Sequence, residues 1–265
     1  QSGASSTAYP LRRAADVAAG FLADLEVQPD DTAALLALDP AQVTMRTMLY
    51  MLQNGMIFQP CVDGRVLPKL PIDAVKAGSA DGVSVLVGTT REEWRLFAMM
   101  NVGSEELNDA KLAENVARSA PDVDAAVVIE RYRSARAARG APTEAMDLIA
   151  AIQTDRMFRL PAVRLAEALA ARHQQVYQYL FTWPSPAFGG VLMSCHAIDL
   201  GFVFGTHAMN EGFAGFFGAG PAADALCATV QDVWLNFART GNPQCDALPT
   251  WAAYETRNRA TALLG

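Results

Sequence analysis

Charge is scarce in this sequence, and positive charge scarcest. Charged residues make up 18% of the 265, and 21 Lys and Arg face 28 Asp and Glu, for a formal net charge of −7. The basic footprint that nucleic acid or an anionic lipid surface requires is missing, so neither partner is expected. No apolar run reaches the roughly 18 residues of a membrane-spanning helix. The four cysteines, Cys61, Cys195, Cys227 and Cys245, show no Cys-x-x-Cys spacing. Four in this length are too sparse for a disulfide framework, and buried, reduced thiols are expected. The start, Gln1-Ser2-Gly3-Ala4-Ser5-Ser6, has neither an initiator Met nor the basic-then-apolar profile of a signal peptide. The expectation is a fragment or processed chain, of cytoplasmic location.

Apolar residues are abundant, at 51%, with a mean hydropathy of +0.12. That excludes a disordered chain, and the length allows one or two domains. Helical periodicity dominates. It predicts helices over Tyr9–Leu25, Asp39–Gln53, Arg91–Met100, Ser104–Ser119, Val123–Ala138 and Thr143–His173, the last interrupted at Pro161. Another runs over Asp224–Thr240, with Gly241 at its stop and Pro243 beyond. Phe58–Arg65 reads as a loop. Two segments read as buried strands, Val83–Val87 and Val176–Phe181. Two lone strands cannot make a sheet, because parallel strands need neighbours and helices on both faces. The pattern points to a piece of a larger α/β protein.

Candidates for chemistry are few. There are three histidines, His173, His196 and His207. His173 follows Arg172 at a helix end and reads as surface. His207 lies in a glycine-rich stretch with no strong argument for a role. His196 lies in a loop about 15 residues beyond the second strand, and catalytic groups of open α/β sheets collect past the carboxyl ends of strands. Glu92 and Glu93 lie past the end of the first strand, where acids also simply suit a helix's first turn. Strand, loop acid, helices, strand, loop His follows the order of the last two members of a Ser, Asp/Glu, His triad. A Gly-x-Ser-x-Gly elbow is absent from the sequence: Gly3-Ala4-Ser5-Ser6-Thr7 fails at its last position. No nucleophile is therefore expected in this chain, nor the oxyanion-hole donors of upstream loops.

Six segments, in order, resemble the C-terminal half of a type-B carboxylesterase, the family of cholinesterases and bacterial p-nitrobenzyl esterases. Gln1-Ser2-Gly3 resembles the family's Gln-Ser-Gly. Phe58-x-Pro60-x-x-Asp63-Gly64 resembles its Phe-x-Pro-x-x-Asp-Gly, and Gly88-Thr89-Thr90-Arg91-Glu92-Glu93 its Gly-Thr-x-x-Asp-Glu. Asp155-x-x-Phe158-x-x-Pro161 resembles the long helix before the last triad strand, and Cys195-His196-Ala197-Ile198-Asp199 the segment carrying the triad His. Trp234-x-Asn236-Phe237-Ala238-x-x-Gly241-Asn242-Pro243 resembles a late helix and its stop. Trp94 departs from the Gly common after the acid, which reduces backbone freedom. Asp199 departs from the usual Glu.

The resemblance implies an α/β-hydrolase fold, of which residues 1–265 form the C-terminal part of a single domain. It implies a serine esterase in which Glu93 is the triad acid and His196 the base, with no metal and no cofactor. Ser2 and Asp199 are implied as a buried polar group beside the His. The implied substrate is a small-molecule carboxylic ester, and the implied partner is the N-terminal half carrying the serine. The alternative is a catalytically inactive, esterase-like binding or adhesion module. Phe, Met and Trp residues in the helical insertions fit an apolar gorge or plain core equally. The family's final strand is expected after Leu264.

Overall fold

The computed structural model describes residues 1–4, 7–100 and 107–265. The predicted residues Ser104–Glu106 of the helix over Ser104–Ser119, and Ser5-Ser6 of the failed elbow match, lie outside these. The chain divides into two compact units, Ser6–Ala77 and Gln1–Ser5 with Gly78–Gly265.

The smaller unit holds β1 (Tyr9–Pro10), α1 (Leu11–Asp24), α2 (Thr32–Ala37), α3 (Pro40–Asn54), β2 (Cys61–Val62) and α4 (Pro71–Lys76). Helix α1 starts two residues later than the periodicity predicts. Tyr9 and Pro10 are taken by a short parallel ladder with Cys61 and Val62, which also gives the predicted loop a strand pairing. The start of α3 follows from chemistry: the Asp39 carboxylate accepts the Ala41 N–H, and Pro40 occupies the first turn, where its missing N–H costs nothing. An aromatic cluster of Phe21, Tyr50 and Phe58 packs α1 on α3.

The larger unit is built on a parallel sheet of three strands in the order β3 (Val85–Thr90), β4 (Val176–Phe181), β5 (Thr261–Leu264). Strand β4 lies where it was predicted. Strand β3 is shifted: predicted to stop before Gly88, it runs on through Thr90, in register with Tyr179–Phe181. Gly88 is required inside the strand, because a Cβ there would lie 2.4 Å from the Tyr179 ring. The third strand corrects the sequence reading. It does not follow Leu264 but ends on it, with Thr261–Leu264 pairing Gln178–Phe181.

Helices α5 (Trp94–Met100), α6 (Asp109–Ser119), α7 (Ala125–Ala137), α8 (Ala145–Thr154), α9 (Leu160–Ala170), α10 (Leu200–Val203), α11 (Glu211–Phe217) and α12 (Pro221–Thr240) belong to the same unit. Tyr177, Tyr179 and Phe181 alternate onto one face of β4 and meet Val230, Val233, Trp234 and Phe237 of α12. Helix α9 packs against β3 and β4. Leu112, Val116, Ile129, Leu148, Ile149 and Ile152 make a second core among α6, α7 and α8. Helix α12 ends as predicted, with Gly241 left-handed at φ 75°. Pro161 does not interrupt the long helix. A π-helical turn, Asp155–Arg159, joins α8 to α9 just before it, and the widened turn takes the proline ring without a break.

Cys195, Cys227 and Cys245 are buried, Cys61 is half-buried, and all four are free. Burial pushes the Cys195 thiol up to about 12, which makes it inert. No single helix among the described residues is long and apolar enough to cross a membrane.

Candidate active site

Parallel strands with covered faces deliver their following loops to one end of the sheet. The loop after β3 carries Glu92 and Glu93, and the loop after β4 carries His196. Adjacent parallel strands thus bring together side chains 103 residues apart. The His196 Nδ1–H donates to Glu93 Oε2 at 2.6 Å. A backbone bond runs parallel to it, His196 N–H to the Glu93 carbonyl at 3.3 Å.

Glu93 has no exposed surface, yet it is well compensated. Besides the imidazole, its Oε1 accepts the Thr90 N–H at 2.6 Å and the Ser2 hydroxyl at 2.5 Å. Three donors on one buried carboxylate are what allows a charge to sit there. With Nδ1–H committed to Glu93, the neutral imidazole presents Nε2 as an acceptor. The His196 side chain keeps 31% of its surface exposed. Phe97 of α5 and Phe158 of the π-turn flank the ring at 5.1 and 5.2 Å between centroids. The widened turn thereby places a side chain against the imidazole.

Backbone strain collects here. Ser2 and Ala197 both stand in the left-handed region, at φ 48° and 67°, at a cost of about 1–3 kcal/mol each. Ala197 directly follows the histidine, and its conformation turns the loop.

Ser2 and Asp199 share no hydrogen bond with each other. Ser2 bonds Glu93, and its own N–H donates to the Gly88 carbonyl at 2.9 Å. Asp199 is buried, and its Oδ2 accepts from Gln1 Nε2 at 3.1 Å and from the Tyr179 hydroxyl at 3.3 Å. Burial raises the Asp199 carboxyl above its ordinary pKa, and it drives the Tyr179 phenol well above its own.

Glu92 has a separate task. Its Oε2 accepts the Ser194 N–H and its own N–H donates to the Ser194 carbonyl, so it clasps the histidine loop two residues before His196. Trp94 starts α5 in ordinary helical conformation. Its N–H donates to Thr154 Oγ1, so the departure from glycine needs no backbone freedom. His173 is exposed. His207 is buried, bonded through Nε2 to Asp224 and stacked on Phe202. Sequence reasoning missed Gln1, Tyr179 and Phe97 at the site. Phe158 stands in one of the family motifs, where the pattern gives it no role.

A parallel sheet with acid and histidine on successive strand-end loops is part of an α/β-hydrolase fold. The sequence profile described as the Carboxylesterase family matches residues 26–264, and the chain belongs to that family. It is 31% identical over its whole length to the para-nitrobenzyl esterase of Bacillus subtilis, of which it covers 52%. It is 29% identical to carboxylesterase 1C of Rattus norvegicus, over 74% of this chain and 36% of that one. Among solved structures, the Geobacillus stearothermophilus carboxylesterase EST55 superposes with a TM-score of 0.80 at 30% identity, over 96% of this chain and 51% of that one. The chain spans about half the length of the bacterial relatives it matches.

Proposed function

We propose that this chain supplies the acid and the base of a Ser-Glu-His triad that hydrolyses small carboxylic esters through an acyl-enzyme. The observation that carries the reading is the 2.6 Å bond from His196 to the buried, triply bonded Glu93. No Gly-x-Ser-x-Gly elbow stands in these 265 residues, so in this reading further polypeptide supplies the nucleophilic serine and the oxyanion hole.

In this mechanism His196 Nε2 takes the proton of the serine hydroxyl as the serine oxygen attacks the ester carbonyl. The imidazolium then gives that proton to the departing alcohol. Glu93 stays ionised throughout, fixes the Nδ1–H tautomer and stabilises the imidazolium. A water molecule repeats the sequence on the acyl-enzyme and releases the acid. Ser2 and the Thr90 N–H hold the Glu93 carboxylate, and Phe97 and Phe158 hold the ring.

The test is p-nitrophenyl ester hydrolysis by the longer polypeptide that carries the serine. Glu93→Gln, which keeps shape but favours the wrong tautomer, is expected to lower kcat about 10⁴-fold with the fold intact by circular dichroism. A Glu93→Gln enzyme within about tenfold of the parent would remove Glu93 from the triad. Complete absence of turnover in the parent would leave the binding-module reading.

A further inference from the structure

A polar cavity lies against the Glu92 clasp. It measures about 430 Å³ and opens between the strand-end loops and helices α7 and α8. Arg91, Arg95, Arg136, Arg139 and Arg159 line it. This is a concentration of guanidinium groups in a chain that carries seven excess negative charges. The carboxylates on its wall are Glu92, Asp147 and Asp155. Five cations against three anions leave the cavity two positive charges in excess.

The local ion pairs do not exhaust the donors. Arg95 is nine-tenths buried and bonds Asp147 through Nη2, but its Nε has no partner. Arg159 pairs with Asp155 through Nη1 and donates from Nη2 to the Arg91 carbonyl, yet its buried Nε is also unpartnered. Arg136 and Arg139 each spend Nε on a backbone carbonyl, of Pro142 and Ala135, and their terminal nitrogens bond no described residue. A cavity with surplus positive charge, lined by guanidinium groups whose terminal nitrogens bond no described residue, suits an oxyanion. Guanidinium groups match carboxylate and phosphate geometry in particular.

We propose that this cavity binds a small organic dianion, a dicarboxylate or a phosphate ester, held chiefly by Arg136 and Arg139 over Arg95. The site is separate from the Glu93–His196 pair, and the proposal does not rest on ester hydrolysis. It has a route to that pair nonetheless. Glu92 forms part of the cavity wall, is covalently next to Glu93, and grips Ser194 in the histidine loop. Burial raises the Glu92 carboxyl above its ordinary pKa.

Calorimetric titration of the chain with succinate and with glycerol phosphate, at fixed ionic strength set by chloride, tests the proposal. One-site binding of either probe is expected. It should weaken about tenfold or more in Arg136→Gln with Arg139→Gln, as befits the loss of charge-assisted bonds. Arg139→Gln alone, on an exposed residue after α7, gives the same direction without risk to the fold. Binding unchanged in both variants, or heat no larger than that of added chloride, would overturn the site. So would its disappearance in the longer polypeptide, where an acidic side chain would then fill the cavity.

Discussion

At the scale of single residues, the candidate site is a problem in burying charge. Glu93 solves it with three donors, and each is worth more than a neutral hydrogen bond because its acceptor is ionised. Ser2→Ala removes one, leaving Thr90 and His196. In the longer, serine-bearing polypeptide we expect kcat to fall roughly ten- to a hundredfold with KM little changed, since the hydroxyl acts on Glu93 and not on substrate. A change confined to KM in steady-state kinetics would show that Ser2 faces the ester instead. Asp199 is the opposite case, a buried carboxyl whose pKa is raised. The folded state therefore holds its proton where the unfolded chain, at the ordinary value of 3.8, has released it. Its contribution to stability falls as pH rises from there through the raised pKa, and above that window the full penalty stands. Both of its bonds fall on Oδ2, so the amide oxygen introduced by Asp199→Asn can keep them. We expect Tm of that variant to gain on the parent as pH rises from about 4 to 7, by thermal unfolding. A gap that closes with rising pH would reverse the sign argued here.

At the scale of elements, α5 and α8 are joined by the buried Arg95–Asp147 pair. Breaking such a pair leaves a bare buried charge, so Arg95→Ala is expected to cost about 3–5 kcal/mol in denaturant unfolding. Replacing both partners by apolar residues should recover most of it, and failure to recover would mean that the pair sets local structure as well. The junction of α8 and α9 shows what periodicity cannot read. Pro161 signals an interruption, because proline lacks an N–H and its ring strikes the preceding turn. A π-turn absorbs that clash and keeps the helix continuous. The apolar pattern of the segment is nearly the same either way, so only packing chooses. Strand β5 escaped for a related reason: Thr261–Leu264 is four residues long with one β-branched residue, and its identity as a strand comes from β4 beside it.

At the scale of the whole molecule, the larger unit's sheet has β3 at one edge, with the Ser2 N–H reaching its Gly88 carbonyl. In the smaller unit, α3 exposes Met45, Met48, Leu49 and Leu52. An open parallel edge and apolar helix faces invite pairing. The partner we propose is the serine-bearing half of the same enzyme. Native mass spectrometry beside a denaturing gel should find that half bound to this chain, and the chain alone should hydrolyse p-nitrophenyl esters negligibly until it is supplied. A monodisperse 28.4 kDa monomer without companion would show that the chain folds unaided.

What the residues declare unaided is local, or follows from their order. Asp39-Pro40 and Gly241 mark helix ends because caps act within a few residues, and β4 shows itself as a run of apolar and aromatic residues. The motif order placed Glu93 and His196 on strand-end loops, because that order follows from how parallel strands connect. Which atoms meet was left to packing. It sent Ser2 to Glu93 and Asp199 to Gln1 and Tyr179, and it set Phe97 and Phe158 against the imidazole. It also gathered five arginines from α5, α7, the π-turn and their flanks around one cavity. Those contacts join residues far apart in the chain, and their geometry is set by strand register and helix packing, which act across distances that no local pattern of residues encodes.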